Sequence, residues 1–439
     1  MRRLDVYMAG TQIGVLRESD AGALTFSYAP EWARRSGALA IAPLLPLGAA
    51  EHGGAVVRSY FDNLLPEGSI RDFVAQAEHI SPNNTFGLLL RFAGDTAGAL
   101  SLVPHGEAPS LAQRYLAVSS KEIRAWFANS RGIPLRASGE QARMSLSGAQ
   151  DKLTVRIAAD GQVTLPLGTA PSTHILKPSM GYRAHLPQTA VNETLVMKLA
   201  AAVGLLVPVV RYSPELDAAV IARYDRTTGA NGDIQRLHQN DLCQMMGLPS
   251  AMKYESEGGP TIKACFDAVV AASSQPALDK KRLLEWIAFN LLIENMDSHA
   301  KNLSMLRVDG RYQLAPFYDM LCTRAYPNLS KRFAFKIGGE NRPDWMLERK
   351  WAAFAGEVGV KPQFVAKVRE DVRERVKQHL PVVASSLRAE LSDPESISMV
   401  NKIETIIART SAHGSNSAPP AAADDSSDDE SGEDFSPTP

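Results

Sequence analysis

Cysteine is nearly missing from this chain. The three present, Cys243, Cys265 and Cys322, are far apart and form no C-x-x-C pair. That argues against a zinc site, and a sparse, odd count fits a reducing cytoplasm rather than a disulfide scaffold. Long apolar runs are missing too. None reaches the ~20 residues of a membrane span. The two arginines of MRRLDVYMAG lead into no sustained apolar segment, so neither a membrane anchor nor a signal peptide is expected. Strong net charge is also absent, the formal value being −1. The balance is uneven, however: of the 48 acidic residues seven lie in 411–439, which holds no Lys or Arg, leaving 41 acidic against 47 basic in the body. That mild excess fits contact with phosphate or nucleic acid without requiring it. No internal repeat is present. The 439 residues, 45% hydrophobic and 22% charged, describe an ordinary globular protein of two or three domains.

Among what is there, residues 290–319 (NLLIENMDSHAKNLSMLRVDGRYQLAPFYD) carry the most chemistry. Leu283, Leu284, Ile287, Leu291 and Leu292 fall on one helical face and predict a helix over 281–294. MDSHAKN interrupts it. Asp309-Gly310 between two apolar runs predicts a hairpin, and Asp319 follows directly. Asp297, Asn302 and Asp319 therefore sit on two loops joined by a hairpin, where they can face one pocket. Phosphoryl transfer uses such a set: an Asp to accept the hydroxyl proton, an Asn and a second Asp to hold magnesium. Asp297 and Asn302 stand five apart, the spacing of a kinase catalytic loop, although the HRD order is absent and His299 follows the Asp. Taken alone, D-x4-N also describes a polar loop closing a helix.

Upstream, the small residues of MSLSGAQDK (144–152) open a strand over 153–157, with 162–165 as its pairing partner across Asp160-Gly161. Backbone N–H groups in such a turn can approach phosphates. The stretch is neither G-x-G-x-x-G nor a Walker A loop, and an ordinary hairpin turn fits it as well. Lys177 ends a strand in THILKP, and Glu193 lies on a helix predicted over 188–203. A strand lysine paired with a helix glutamate is one way to hold α- and β-phosphates; a solvated strand end and helix face is the other reading. Residues 221–225 (IARYD) would join two lobes and offer a backbone edge to an adenine ring.

Residues 1–105 read as one α/β module with strands at 4–8, 12–16 and 24–28, a turn into a helix at 60–77, and no catalytic constellation. Phe61, Leu64 and Leu65 read as core or docking residues. Beyond 225 the pattern is mainly helical: 240–246, 258–272, 351–358, 361–378 and 397–408. Lys331, Arg332 and Lys336 form a small basic cluster that suits a solvated face or a phosphate or protein contact. Residues 411–439, rich in Ser, Ala, Pro, Asp and Glu, are expected to be disordered.

In order along the chain, YFDNLLPEG (60–68), SLSGAQDK (145–152), THILKP (173–178), Asn192-Glu193, ARYDR (222–226), DLCQMMGLPSAMKYESEGGP (241–260), DSHAKN (297–302) and PFYD (316–319) resemble the HipA family of serine/threonine-kinase toxins from bacterial HipBA toxin–antitoxin modules. The likeness spans roughly residues 1–400. It implies an α+β architecture: an N-terminal module (1–105) packed on a two-lobed protein-kinase-like fold, with an N-lobe (106–225), a mainly helical C-lobe (226–410) and a tail (411–439). It implies ATP and Mg2+, with Asp297 as base, Asn302 and Asp319 as metal ligands and Lys177 on the nucleotide phosphates. Ser147, Gly148, Ala149, Gln150, Asp151 and Lys152 would cover those phosphates. Ala222, Arg223 and Tyr224 would line the adenine site, and His299, Ala300, Lys301 and Tyr318 would complete the nucleotide pocket. Ser145 corresponds to the family's autophosphorylated serine, with Ser147 as a nearby alternative acceptor. The implied partners are a HipB-like helix-turn-helix antitoxin, through which DNA would be contacted, and a protein substrate such as an aminoacyl-tRNA synthetase. Two other readings stay open: a nucleotide-binding co-repressor without chemistry, and a small-molecule kinase.

Overall fold

Alternating short strands and tight turns build the first sheet. Strands β1 (Arg2–Met8), β2 (Thr11–Glu18), β3 (Leu24–Tyr28), β4 (His52–Gly53) and β5 (Leu100–Pro104) lie in the order β4-β3-β2-β1-β5. Ala9 and Gly10 both have positive φ, 49° and 77°, the left-handed pair a two-residue hairpin turn requires. Helices α1 (Pro30–Ala33), α2 (Ala55–Asp62), α3 (Gly68–Ala77) and α4 (Thr85–Phe92) complete the module. Its core packs Leu4, Val6 and Phe26 against Phe61, Phe86 and Leu89. The motif 60–68 is thus a helix end followed by a turn, not a turn alone. The structure, a computed structural model, describes residues 1–48, 50–110, 112–130, 150–179 and 185–412.

A second antiparallel sheet contains β6 (Tyr115–Ala117), β7 (Leu153–Ile157), β8 (Val163–Pro166), β9 (His174–Pro178), β10 (Val210–Ser213) and β11 (Ala218–Ala222), ordered β10-β11-β9-β7-β8-β6. Helix α5 (Ser120–Ser130) covers one side through Ile123. Its start is capped as Ser119 Oγ accepts from Glu122 N at 3.3 Å while Glu122 Oε2 accepts from Ser119 N at 2.8 Å, a reciprocal capping box. Helix α6 (Thr189–Ala202) fills the other side, buried on nearly every face rather than along the single stripe its sequence suggests.

Next along the chain come a ribbon of β12 (Arg226–Thr228) and β13 (Ile234–Arg236) and a small sheet of β14 (Gln239–Asp241), β15 (Ser304–Val308) and β16 (Arg311–Leu314). Around it pack α7 (Leu242–Met246), α8 (Ile262–Ala272), α9 (Pro276–Leu292), α10 (Glu348–Glu357), α11 (Pro362–Glu390) and α12 (Pro394–Ala412). Trp286, Phe289, Phe335 and Phe354 sit in one continuous core with α6. Several helix bounds differ from the sequence pattern. Asn240 and Asp241 belong to β14, because Asp241 is the N-cap that closes a capping box with Gln244. The Gly-Gly-Pro stretch stops short of α8, whose N-cap is Thr261. Helix α11 runs 29 residues, through Pro381, because its buried stripe continues at Leu380, Ala384 and Leu387. The last helix reaches Ala412, two residues into the stretch read from composition as tail.

The N-terminal module is joined to the rest by buried polar contacts. Asp95 meets Arg223 at 3.4 Å, Arg226 at 2.9 Å and Arg236 at 3.1 Å, and Asp225 meets Arg223 at 2.7 Å and Arg226 at 2.8 Å. Gly98 N donates to Asp225 Oδ2 at 2.8 Å. Gly98 has φ +80° and lies so close to β14 that a Cβ there would stand 2.9 Å from Gln239 N; only glycine meets both demands. At a second joint His238 Nε2 donates to Ile41 O at 2.7 Å and Arg307 donates to Ala40 O at 2.8 Å. Burial holds His238 down at about 3, so it docks as a neutral ring.

Candidate active site

The hairpin β15–β16 sets the geometry. Asp309 and Gly310 turn it with φ of 47° and 76°, and it carries the chain from Asn302 at its entry to Asp319 beyond its exit. Asn302 Nδ2 lies 3.3 Å from Asp319 O and 3.4 Å from its Oδ2. Asp319 itself has φ 59°, a left-handed conformation that Asp tolerates better than most residues. Asn302 Oδ1 is buried and has no hydrogen-bond partner among the described residues. This oxygen and the Asp319 carboxylate, 36% of whose side chain is exposed, are the oxygen atoms that the two residues could give to a metal ion.

From the opposite wall β9 supplies Lys177. Its ammonium meets Glu193 Oε1 of α6 at 2.8 Å and Asp319 Oδ1 at 2.5 Å. Pairing of β9 with β11 sets Lys177 beside Ala219, and α6 presents the fully buried Glu193. Burial works against the ammonium, but Asp319 and Glu193 outweigh it and hold Lys177 above the ordinary lysine range. Burial likewise works against the Asp319 carboxylate, yet Lys177, then Lys152 and His299, bring it down to about 2. The pair is therefore ionised at neutral pH. Lys152 is lowered to about 8, by burial first and by Lys177 second.

Asp297 lies in the same cleft. Its Oδ1 accepts from Tyr254 Oη, and Asn295 Oδ1 accepts its backbone N–H at 3.2 Å. His299 meets the Tyr254 ring edge-on at 4.9 Å. The cleft encloses about 1320 Å³, its open mouth included. Ile175, Met197, Pro208, Ile221 and Leu321 make one wall apolar, and Tyr224 and Tyr318 stack at 5.9 Å beside it. An apolar slot beside a row of charged groups suits a planar ring carrying phosphates.

Lys177, Asp297, Asn302 and Asp319 thus line one cavity, with Gln150, Lys152, Ala222, Arg223, Tyr224, His299, Lys301 and Tyr318. Asp151 is buried, and Ala300 belongs to the hydrophobic core, so its methyl is turned inward. The guanidinium of Arg223 is committed to Asp95 and Asp225, which leaves its backbone as the part available to the cleft. Ser145, Ser147, Gly148, Ala149 and residues 413–439 lie outside the described residues. The basic cluster Lys331, Arg332 and Lys336 is exposed and does not line the cleft.

The sequence of the N-terminal module shows no catalytic constellation. Asn63 and Glu67 nevertheless line the cleft, and they bind Lys301 and Lys253 of the C-lobe. Nothing local in the stretch 60–68 shows that its polar residues face a cavity. Among the described residues no group of three or more His, Cys, Asp or Glu could hold a metal unaided, and no helix is long and apolar enough to cross a membrane.

Comparison with known proteins shows the family and the fold. The HipA N-terminal domain model matches residues 4–103 and the HipA-like C-terminal domain model matches 144–380. The chain is 39% identical over 367 residues to Y4mE of Sinorhizobium fredii, named as a candidate kinase, covering 82% of this chain and 86% of that one. It is 27% identical over 397 residues to the serine/threonine-protein kinase toxin HipA of Shewanella oneidensis, covering 87% and 89%. A structure of Shewanella oneidensis HipA with HipB and operator DNA superposes with a TM-score of 0.79 at 24% identity, covering 93% of this chain and 96% of that one. That last match carries the kinase-like fold.

Proposed function

The chain belongs to the HipA family, and from that premise we propose that it is an ATP-dependent serine/threonine protein kinase acting as the toxin of a type II toxin–antitoxin module in the cytoplasm. The observation that supports this most is the convergence of Lys177, Asp297, Asn302 and Asp319 on one cleft from positions far apart in the chain.

In this reading the apolar wall and the backbone of 222–224 seat the adenine. Lys177, fixed by Glu193, neutralises nucleotide phosphates, and Lys152 adds a second positive charge. Asp297 accepts the proton of the substrate hydroxyl as its oxygen bonds to the γ-phosphorus and the bond to the ADP oxygen breaks. Tyr254 donates to one Asp297 oxygen and so helps fix the carboxylate in the cleft. The oxygen set of Asn302 and Asp319 fits Mg2+, which takes one or two protein oxygens and fills its remaining positions with water and phosphate. When bound, the ion would offset charge building on the phosphates.

By family analogy Ser145, or Ser147 beside it, is the self-phosphorylated residue, the partner is a small helix-turn-helix antitoxin that makes the DNA contact, and the target is a protein such as an aminoacyl-tRNA synthetase. Phosphoproteomics of cells expressing wild type against Asp297→Ala tests the reading. Targets phosphorylated only with wild type support it, and equal toxicity of the two forms without any differential phosphosite overturns it.

A further inference from the structure

Lys301 stands between Asp297 and Asn302 on a single helical turn (Ala300–Asn302). The family resemblance implies that it lines the nucleotide pocket. Its ammonium has three N–H donors, and three acceptors surround it: Asn63 Oδ1 at 2.5 Å, Asp241 Oδ2 at 2.9 Å and Glu67 Oε1 at 3.3 Å. Two of the three come from the N-terminal module. Burial works against this ammonium, but Asp241 and Glu67 outweigh it and hold Lys301 above the ordinary range. Lys301 therefore ties the loop that carries Asp297 and Asn302 to a different module.

The tie is doubled. The other carboxylate oxygen of Glu67 faces Lys253 Nζ at 3.5 Å. Lys253 O accepts Ala300 N at 3.2 Å, and the next residue, Tyr254, donates to Asp297. Asn63 is itself fixed, its amide nitrogen donating to Ser59 O at 2.8 Å and to Leu248 O at 2.9 Å. One carboxylate and one amide from the turn after α2 thus hold both loops that flank the Asp297 carboxylate.

We infer that Asn63 and Glu67 are positioning residues: the N-terminal module sets the placement of the base and of the metal-binding Asn302 through Lys301 and Lys253, without touching the nucleotide. The inference rests on the kinase reading above and adds a part that the N-terminal module plays in it. Misplacing reacting groups by about 1 Å costs on the order of 10²-fold in rate. Nucleotide affinity depends chiefly on Lys177, Glu193 and the apolar wall; Glu67 bears on it only through its charge near Lys152.

The test uses the full chain with ATP and Mg2+, comparing wild type with Glu67→Gln, which keeps size and removes charge. Single-turnover phosphate transfer, ATP dissociation constant and melting temperature are measured together. The expected result is a transfer rate lower by about 10–100-fold with ATP affinity within about threefold of wild type. An unchanged rate overturns the inference. So does a parallel loss of rate and affinity, the mark of general structural damage. Should Glu67→Gln not fold, Asn63→Ser removes one acceptor from Lys301, leaves both carboxylates in place, and is read the same way. A wild-type chain that neither binds ATP nor transfers phosphate overturns the kinase reading itself, whereas an active wild type matched by its variant overturns only the positioning role.

Discussion

Replacing Asp95 by asparagine removes one negative charge from the buried ion cluster that joins the N-terminal module to the segment between the lobes. Three guanidinium groups and two carboxylates meet there, and each side chain is less than one-tenth exposed. With Asp95 neutral, Arg223, Arg226 and Arg236 share Asp225 alone. Breaking a buried pair by removing one partner costs about 3–5 kcal/mol, because charge is left uncompensated. Asparagine keeps an oxygen for Ser172, which now donates to Asp95 Oδ2 at 2.6 Å, so the lower end, about 3 kcal/mol, is expected. That is a large part of a domain stability of about 5–15 kcal/mol.

Urea unfolding read by tryptophan fluorescence and by far-UV circular dichroism measures it. The variant should unfold at lower urea, with the two signals separating as the module leaves the lobes. The pH dependence follows from the same cluster. Burial works against the Asp95 and Asp225 carboxylates, but the guanidinium groups outweigh it and hold both below the ordinary range. Their contribution is thus fully present above about pH 4, the unfolded carboxylate value, and is lost as pH falls below it toward the folded values. The gap between wild type and variant should be flat from about pH 5 to 8 and shrink below about pH 4. A loss under about 1 kcal/mol at pH 7, the size of a surface pair, refutes the reasoning.

Other perturbations separate the parts of the site. Asp297→Ala should lower phosphate transfer by about 10²–10⁴-fold while ATP still binds, checked by single-turnover assay beside a binding titration. Asn302→Ala, which deletes a buried oxygen without a hydrogen-bond partner among the described residues, should raise the Mg2+ concentration needed for half-maximal activity, and chelation with EDTA should abolish activity in both forms. Gly98→Ala places a Cβ 2.9 Å from Gln239 N at φ +80° and should cost about 1–3 kcal/mol in thermal melting.

What could be read from the sequence depended on how locally each feature is encoded. The hairpin at Asp309-Gly310 is specified by two adjacent residues, so sequence alone brings the loops carrying Asn302 and Asp319 together. The Lys177–Glu193 pair was legible for a similar reason: a strand end and a helix 16 residues on leave few arrangements. Helix ends were less legible, because capping depends on side-chain geometry. Asp241 looks helical by pattern but acts as a cap.

The contacts between modules were not legible, and the reason is physical. Lys301 reaches Asn63 across 238 residues and Arg226 reaches Asp95 across 131. In sequence a buried Glu67 or Asp95 has the same appearance as a solvated one, since neither hydropathy nor period marks an acidic residue whose partner lies on another module. Arg223 shows the consequence. Its position beside Tyr224 suggests contact with an adenine ring, yet its charge is already bound within the joint to Asp95. The same backbone stretch therefore serves two structures, facing the cleft with its main chain and the N-terminal module with its guanidinium. A ligand that moves the N-terminal module must then disturb the adenine side through Arg223 and the base through Lys301, two routes that single variants at Asp95 and Glu67 can separate.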